Sequence, residues 1–153
     1  LKEVERIQES HNNPHHLESI PEHIDMCIEN ANTITMKNVA FFHDLGKSLC
    51  KETFEDGISR YRNHANVSAY YYLNYIYSAN IDSDTYYKHG VLESSEFANG
   101  IFDVAEIIYE HMLGHTGLGD KNIKNNKLSD ELIEKIYAFA EIDSKSRITE
   151  LKF

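Results

Sequence analysis

The chain has 153 residues, 41% hydrophobic and 26% charged, with seven Gly, two Pro, no Trp and nine His, which fits a single domain around one core. No stretch approaches the roughly 20 consecutive apolar residues of a membrane-spanning helix, and the charged opening LKEVERIQES does not resemble a signal peptide, so a cytoplasmic protein without a membrane partner is expected. Against 25 Asp and Glu stand 15 Lys and Arg, a net charge of −10, which disfavours duplex nucleic acid but allows a small phosphorylated ligand held through bound cations.

Low Gly and Pro content and apolar residues spaced by three and four predict an all-α domain without strands. Ser19-Ile20-Pro21-Glu22 has the form of a capping box and starts a helix from about Ile20 to Ala31, with Ile24, Cys27, Ile28 and Ala31 as its buried stripe. Thr35 is expected to cap a second helix through Val39, Ala40, Phe41 and Phe42, carrying His43 and Asp44 and ending near Gly46. The stretch from Ser48 to Asn63 reads as a surface loop. Further helices are expected over His64 to Ala79, within Asp84 to Glu96, and from about Phe102 to Leu113. After the Gly- and Asn-rich segment GHTGLGDKNIKNNK, Ser129 caps a last helix that runs to about Ile148.

Several polar residues fall on the predicted apolar stripes. His23 precedes Cys27 by four and Ala31 by eight positions, so it lies on or beside its helix's buried face. Asp143 follows Ile136 and Ala140 by seven and three, which projects a carboxylate towards the core, where it is costly unless paired or bound to a cation. His111 follows Ile107 and Ile108 by four and three, and His43-Asp44 follows the apolar run VAFF. A shared metal would satisfy these groups at once. Cys27 and Cys50 are too few and too isolated for a disulfide framework or a thiolate zinc site, so the shell is expected to hold nitrogen and oxygen only. Such a shell suits a divalent Mn, Fe, Ni, Co or Zn ion, and Mg less naturally.

His23, then His43-Asp44 within FFHDLGK, then Asp143 within EIDSKSR reproduce an H…HD…D signature, and the chain resembles the HD-domain metal-dependent phosphohydrolases. The flanking text NNPHHLESIPEHI and HDLGKSLCKETFEDGISRYRNHANVSA is similar to the HD region of bacterial tRNA nucleotidyltransferases, over roughly His11 to Arg147. The resemblance implies a helical HD bundle with a metal site between helices, and His23, His43, Asp44 and Asp143 as the metal ligands. His64 and His111 fall where other members place residues that touch substrate or complete a second metal site. Binuclear members usually carry adjacent histidines at the latter position, whereas His111 and His115 here are four apart, so one metal is expected.

The implied reaction is hydrolysis of a nucleotide or an RNA 2′,3′-phosphate end, as a phosphomonoester or cyclic phosphodiester. Asp44 would ligate the metal and accept a proton from water, and Lys47, His64, His111, His16 and Arg147 would handle the phosphate. A nucleoside 5′-monophosphate phosphatase and a non-catalytic metal- or nucleotide-binding regulatory module are the alternative readings. These 153 residues hold no nucleotidyltransferase catalytic domain, so the resemblance does not extend to CCA addition. His11, His89 and His115 are expected at the surface or behind the ligands.

Overall fold

The computed structural model describes residues 16–81, 95–119, 123–125 and 127–148. Over these residues the protein is mostly helical, in agreement with the all-α expectation. The first helix, α1 (Ile20–Asn30), begins at the capping box: Ser19 Oγ accepts the Glu22 N–H, Glu22 Oε2 accepts the Ser19 N–H at 2.7 Å, and Pro21 lies in the first turn. Its buried face carries Ile20, His23, Ile24 and Cys27, so an imidazole and a thiol sit among core residues one turn apart.

The second helix, α2 (Ile34–Phe42), is capped by Thr33 and not by Thr35, because Thr33 has the extended backbone a cap requires and its Oγ1 accepts the Met36 N–H at 3.2 Å. It ends at Phe42, earlier than predicted, and Gly46 does not stop it with a left-handed turn, since its φ is −63°. Close packing explains the glycine instead: a Cβ there would lie 2.3 Å from the His64 carbonyl oxygen, and the Gly46 N–H donates to Ser68 Oγ at 2.8 Å. The turn between Phe42 and the one-turn α3 (Lys47–Cys50) holds Asp44 against the start of α4 (His64–Ile81).

The predicted surface loop contains an antiparallel hairpin, which corrects the strand-free expectation. Strands β1 (Lys51–Thr53) and β2 (Ser59–Tyr61) pair Lys51 with Tyr61, Glu52 with Arg60 and Thr53 with Ser59. Gly57 turns the chain at φ +76°, and Asn63, a residue type that tolerates the left-handed region, leads from the hairpin into α4 at φ +62°.

The long helices α5 (Ser95–Thr116) and α6 (Asp130–Lys145) complete the bundle, with α6 capped by Ser129 as predicted. Most of the helix predicted within Asp84 to Glu96, together with His11 and His89, lies outside the described residues, and Ser95 and Glu96 belong to α5. α5 packs along both α4 and α6, and α2 lies against α1 and α5. Ile107, Ile108, Ile136 and Phe139 are wholly buried at this junction, each contributing about 1.5–3 kcal/mol by its removal from water. Among the described residues no helix is long and apolar enough to cross a membrane.

Candidate metal centre

Five elements bring their inward polar groups to one place. His23 comes from α1, His43 and Asp44 from the end of α2 and its turn, His64 from the first residue of α4, His111 from α5 and Asp143 from α6. All six are buried. The four histidines share one arrangement. His23 Nδ1 donates to the Ser146 carbonyl at 2.8 Å, His43 Nδ1 to Ala40 at 2.8 Å, His64 Nδ1 to Tyr61 at 2.7 Å and His111 Nδ1 to Ile108 at 2.6 Å. A carbonyl oxygen can only accept, so each neutral ring carries its proton on Nδ1 and its lone pair on Nε2.

These lone pairs point at each other. His23 Nε2 and His43 Nε2 are 3.3 Å apart, and His64 Nε2 and His111 Nε2 are 3.2 Å apart. Two lone pairs at such distances repel unless a proton or a cation stands between them. Asp44 lies between the pairs: Oδ2 is 3.5 Å from His43 Nε2 and 3.8 Å from His23 Nε2, while Oδ1 is 3.3 Å from His64 Nε2 and 4.0 Å from His111 Nε2. Asp143 Oδ1 is 3.0 Å from His23 Nε2. Buried His, Asp and Cys groups are thus positioned to bind a metal ion, as one set of His23, Cys27, His43 and Asp143 and a second of Asp44, His64 and His111. The donor chemistry fits a divalent cation in both sets.

Burial and charge act differently on the members. Burial opposes a charge on His23, but its bond to Asp143, helped by Cys27 and Asp44, pushes its pKa up to about 10. Burial also opposes the charge on Asp143, yet bonds from His115 and His23 and the field of His43 hold it well below the usual carboxylate range. His43 is lowered, chiefly by burial. His111 is pushed down to about 3 by burial and by its neighbours His43 and His64. The Phe139 ring supplies part of that dry wall, with its centroid 5.0 Å from the His43 ring and 6.4 Å from the His111 ring.

The second set opens into a cavity of about 300 Å³ whose wall includes three cations, Lys47, Arg60 and Arg147, with His16 at its edge. Lys47 Nζ donates to Asp44 Oδ2 at 2.7 Å, and an Arg147 terminal nitrogen lies 3.5 Å from Asp143 Oδ1. Arg147 Nε is buried with no hydrogen-bond acceptor among the described residues. His16 is fixed by Glu18, whose Oε1 is 2.6 Å from His16 Nδ1 and whose Oε2 accepts the Ile148 N–H at 2.9 Å.

The structure therefore gathers every residue that the sequence nominates: His16, His23, His43, Asp44, Lys47, His64, His111, Asp143 and Arg147. Cys27, which the expected nitrogen-and-oxygen shell leaves out, stands beside the first set with its Sγ 3.6 Å from His23 Nε2. The signal was present in the spacing, since the four-residue step that buries His23 places Cys27 directly beside it. Sequence reasoning also missed buried Glu18, and it did not bring Arg60, an exposed side chain paired with Asp56 at 3.1 Å, to the cavity wall. His115 sits behind the ligands as expected, donating from Nε2 to Asp143 Oδ2 at 2.6 Å. Compared with protein-family models, with curated proteins and with solved structures, the chain gives no significant match.

Proposed function

We propose that this protein is a metal-dependent phosphohydrolase built on an HD-type helical bundle, acting on a nucleotide or an RNA 2′,3′-phosphate end. The observation that carries the reading is the pair of facing imidazole lone-pair sets with Asp44 between them, opening on a cavity walled by Lys47, Arg60 and Arg147. Two donor groups extend the expected single cation to two, with His23, His43, Asp143 and Asp44 holding the first and Asp44, His64 and His111 the second. Bound there, divalent cations lower the pKa of water and polarise a phosphoryl oxygen.

The chain's own residues do the remainder. Asp44 would help hold cation through its carboxylate and would accept a proton from water on the cavity side. His115 holds Asp143 through the oxygen that does not face His23, and Arg147 lies 3.5 Å from the oxygen that does, so that the carboxylate stays ionised and oriented. Lys47, Arg60 and Arg147 on the cavity wall would present positive charge to an entering phosphate and to the charge that develops on it. The volume suits a mononucleotide or a chain end, and the chain's overall negative charge works against a long duplex.

The test is phosphate release or ring opening across 2′,3′-cyclic, 2′-, 3′- and 5′-nucleotides, with Mn, Ni, Co, Zn or Mg supplied in turn, beside an Asp44→Ala control. Metal-dependent turnover that disappears in the control is expected. Silence across the panel from a chain with metal demonstrably bound would sink the hydrolase reading and leave a metal- or nucleotide-binding module.

A further inference from the structure

We infer that Cys27 supplies a sulfur ligand to the cation held by His23, His43 and Asp143, making this half of the centre a mixed nitrogen, oxygen and sulfur site that selects zinc-like metals. The inference rests on the metal-binding part of the proposed function and goes beyond it by assigning a ligand and a class of metal.

Placement is the first ground. Cys27 follows His23 by one helical turn on the buried face of α1, and its Sγ lies 3.6 Å from the Nε2 that also meets Asp143 Oδ1 and His43 Nε2. The donor atoms of His23, Cys27, His43 and Asp143 all lie within 4.8 Å of one another, and all four residues are buried. These four donors suit a tetrahedral cation, and the shared Asp44 would make the fifth that zinc also accepts.

Charge is the second ground. Two neutral imidazoles and one carboxylate leave a divalent cation with one net positive charge among buried groups, and a second anion, Asp44, is divided between this set and the neighbouring one. A thiolate from Cys27, which is 0% exposed, would neutralise the first set internally. The exchange balances: the S–H bond is given up, its proton leaves to buffer, and a sulfur–metal bond forms. A sulfur donor shifts preference towards Zn, Co or Fe and away from Mg and Mn, which favour oxygen shells.

The experiment is a Co(II) titration of the full chain after metal removal, followed by absorption. The visible d–d bands report cobalt bound, and a strong near-ultraviolet band reports charge transfer from thiolate sulfur. We expect both in the wild type, the sulfur band kept in Cys50→Ala, and the sulfur band lost with d–d bands retained in Cys27→Ser and Cys27→Ala. Zinc preference over manganese should fall at least about tenfold in Cys27→Ser, since even residues behind a ligand alter affinity by roughly 10- to 100-fold. Should neither variant fold, the wild type and Cys50→Ala decide between them. Cobalt bound with d–d bands but no sulfur band, or a sulfur band that survives both Cys27 substitutions, overturns the ligand assignment and leaves the metal centre standing. A wild-type chain that binds no cobalt by equilibrium dialysis overturns the metal centre itself.

Discussion

His23 and His43 meet at 3.3 Å and His64 and His111 at 3.2 Å, each ring anchored through Nδ1 to a backbone carbonyl, yet the surroundings of the two pairs differ. The first pair has Asp143 and Cys27 at hand, and without metal a proton on His23 is favoured up to about pH 10, chiefly by the bond to Asp143. The second pair has only the shared Asp44, and its His111 stays neutral down to about pH 3. Geometry alone would call the two halves equivalent. The difference in anions is expected to make the first set the tighter metal site, while Asp44, His64 and His111 of the second line the cavity.

The largest expected effect comes from removing what the halves share. Asp44→Ala should lower turnover on the order of 10³-fold or more and weaken both cations, read from initial rates and equilibrium dialysis. A variant that keeps two tightly bound cations would break the bridging role. Splitting the pair comes next: His23→Ala should abolish tight binding, whereas His111→Ala should leave one tight cation and remove the weaker one. Equal stoichiometry in the two variants would erase the distinction between the halves.

How much of this was legible in the sequence follows from where each residue sits. His23, His111 and Asp143 lie within regular helices, so their spacing from Cys27, Ile107 and Ile136 already placed them inward. His64 begins a helix, where periodicity says nothing, and only the resemblance in NHANVSA pointed to it. Glu18 precedes α1 and acts through the Ile148 N–H at the far end of the chain, a contact that no local pattern encodes. The hairpin escaped because three-residue strands are too short to show alternation, and with it went the placement of Arg60 on the cavity wall. Cys27 was counted among the apolar residues, which its burial supports and its neighbours do not.

Lys47 offers a smaller and sharper separation. It lies on the cavity side and bonds Asp44 at 2.7 Å without belonging to either donor set. Lys47→Ala should spare metal stoichiometry and reduce kcat/KM by roughly 10- to 100-fold, and Lys47→Arg should recover part of that loss. Metal loss equal to that of Asp44→Ala would show that Lys47 supports the shell and not the phosphate.

The same contrast between the halves predicts an asymmetric pH profile for the stability of the metal-free chain. His23 holds its proton in the folded state up to about pH 10 against an ordinary value of 6.5, so its contribution is complete below pH 6.5 and is lost as the pH rises towards 10. His43 and His111 run the other way: both are lowered in the folded state, His111 to about 3, so the unfolded chain takes up protons that the folded one refuses. Their effect is absent above pH 6.5 and becomes destabilising as the pH falls below it. Asp143, held below its ordinary 3.8, adds to the same loss in stronger acid. Stability should therefore peak near neutrality, with an acid limb driven by His43 and His111 and, in stronger acid, by Asp143, and an alkaline limb driven by His23. Urea midpoints measured across pH in chelator check this. His23→Gln should flatten only the alkaline limb and His111→Gln should soften only the acid limb. Saturating zinc should erase the alkaline limb in the wild type, because the metal displaces the His23 proton on which that limb depends. If the alkaline limb survives both His23→Gln and zinc, the proton does not sit where the first pair's geometry puts it.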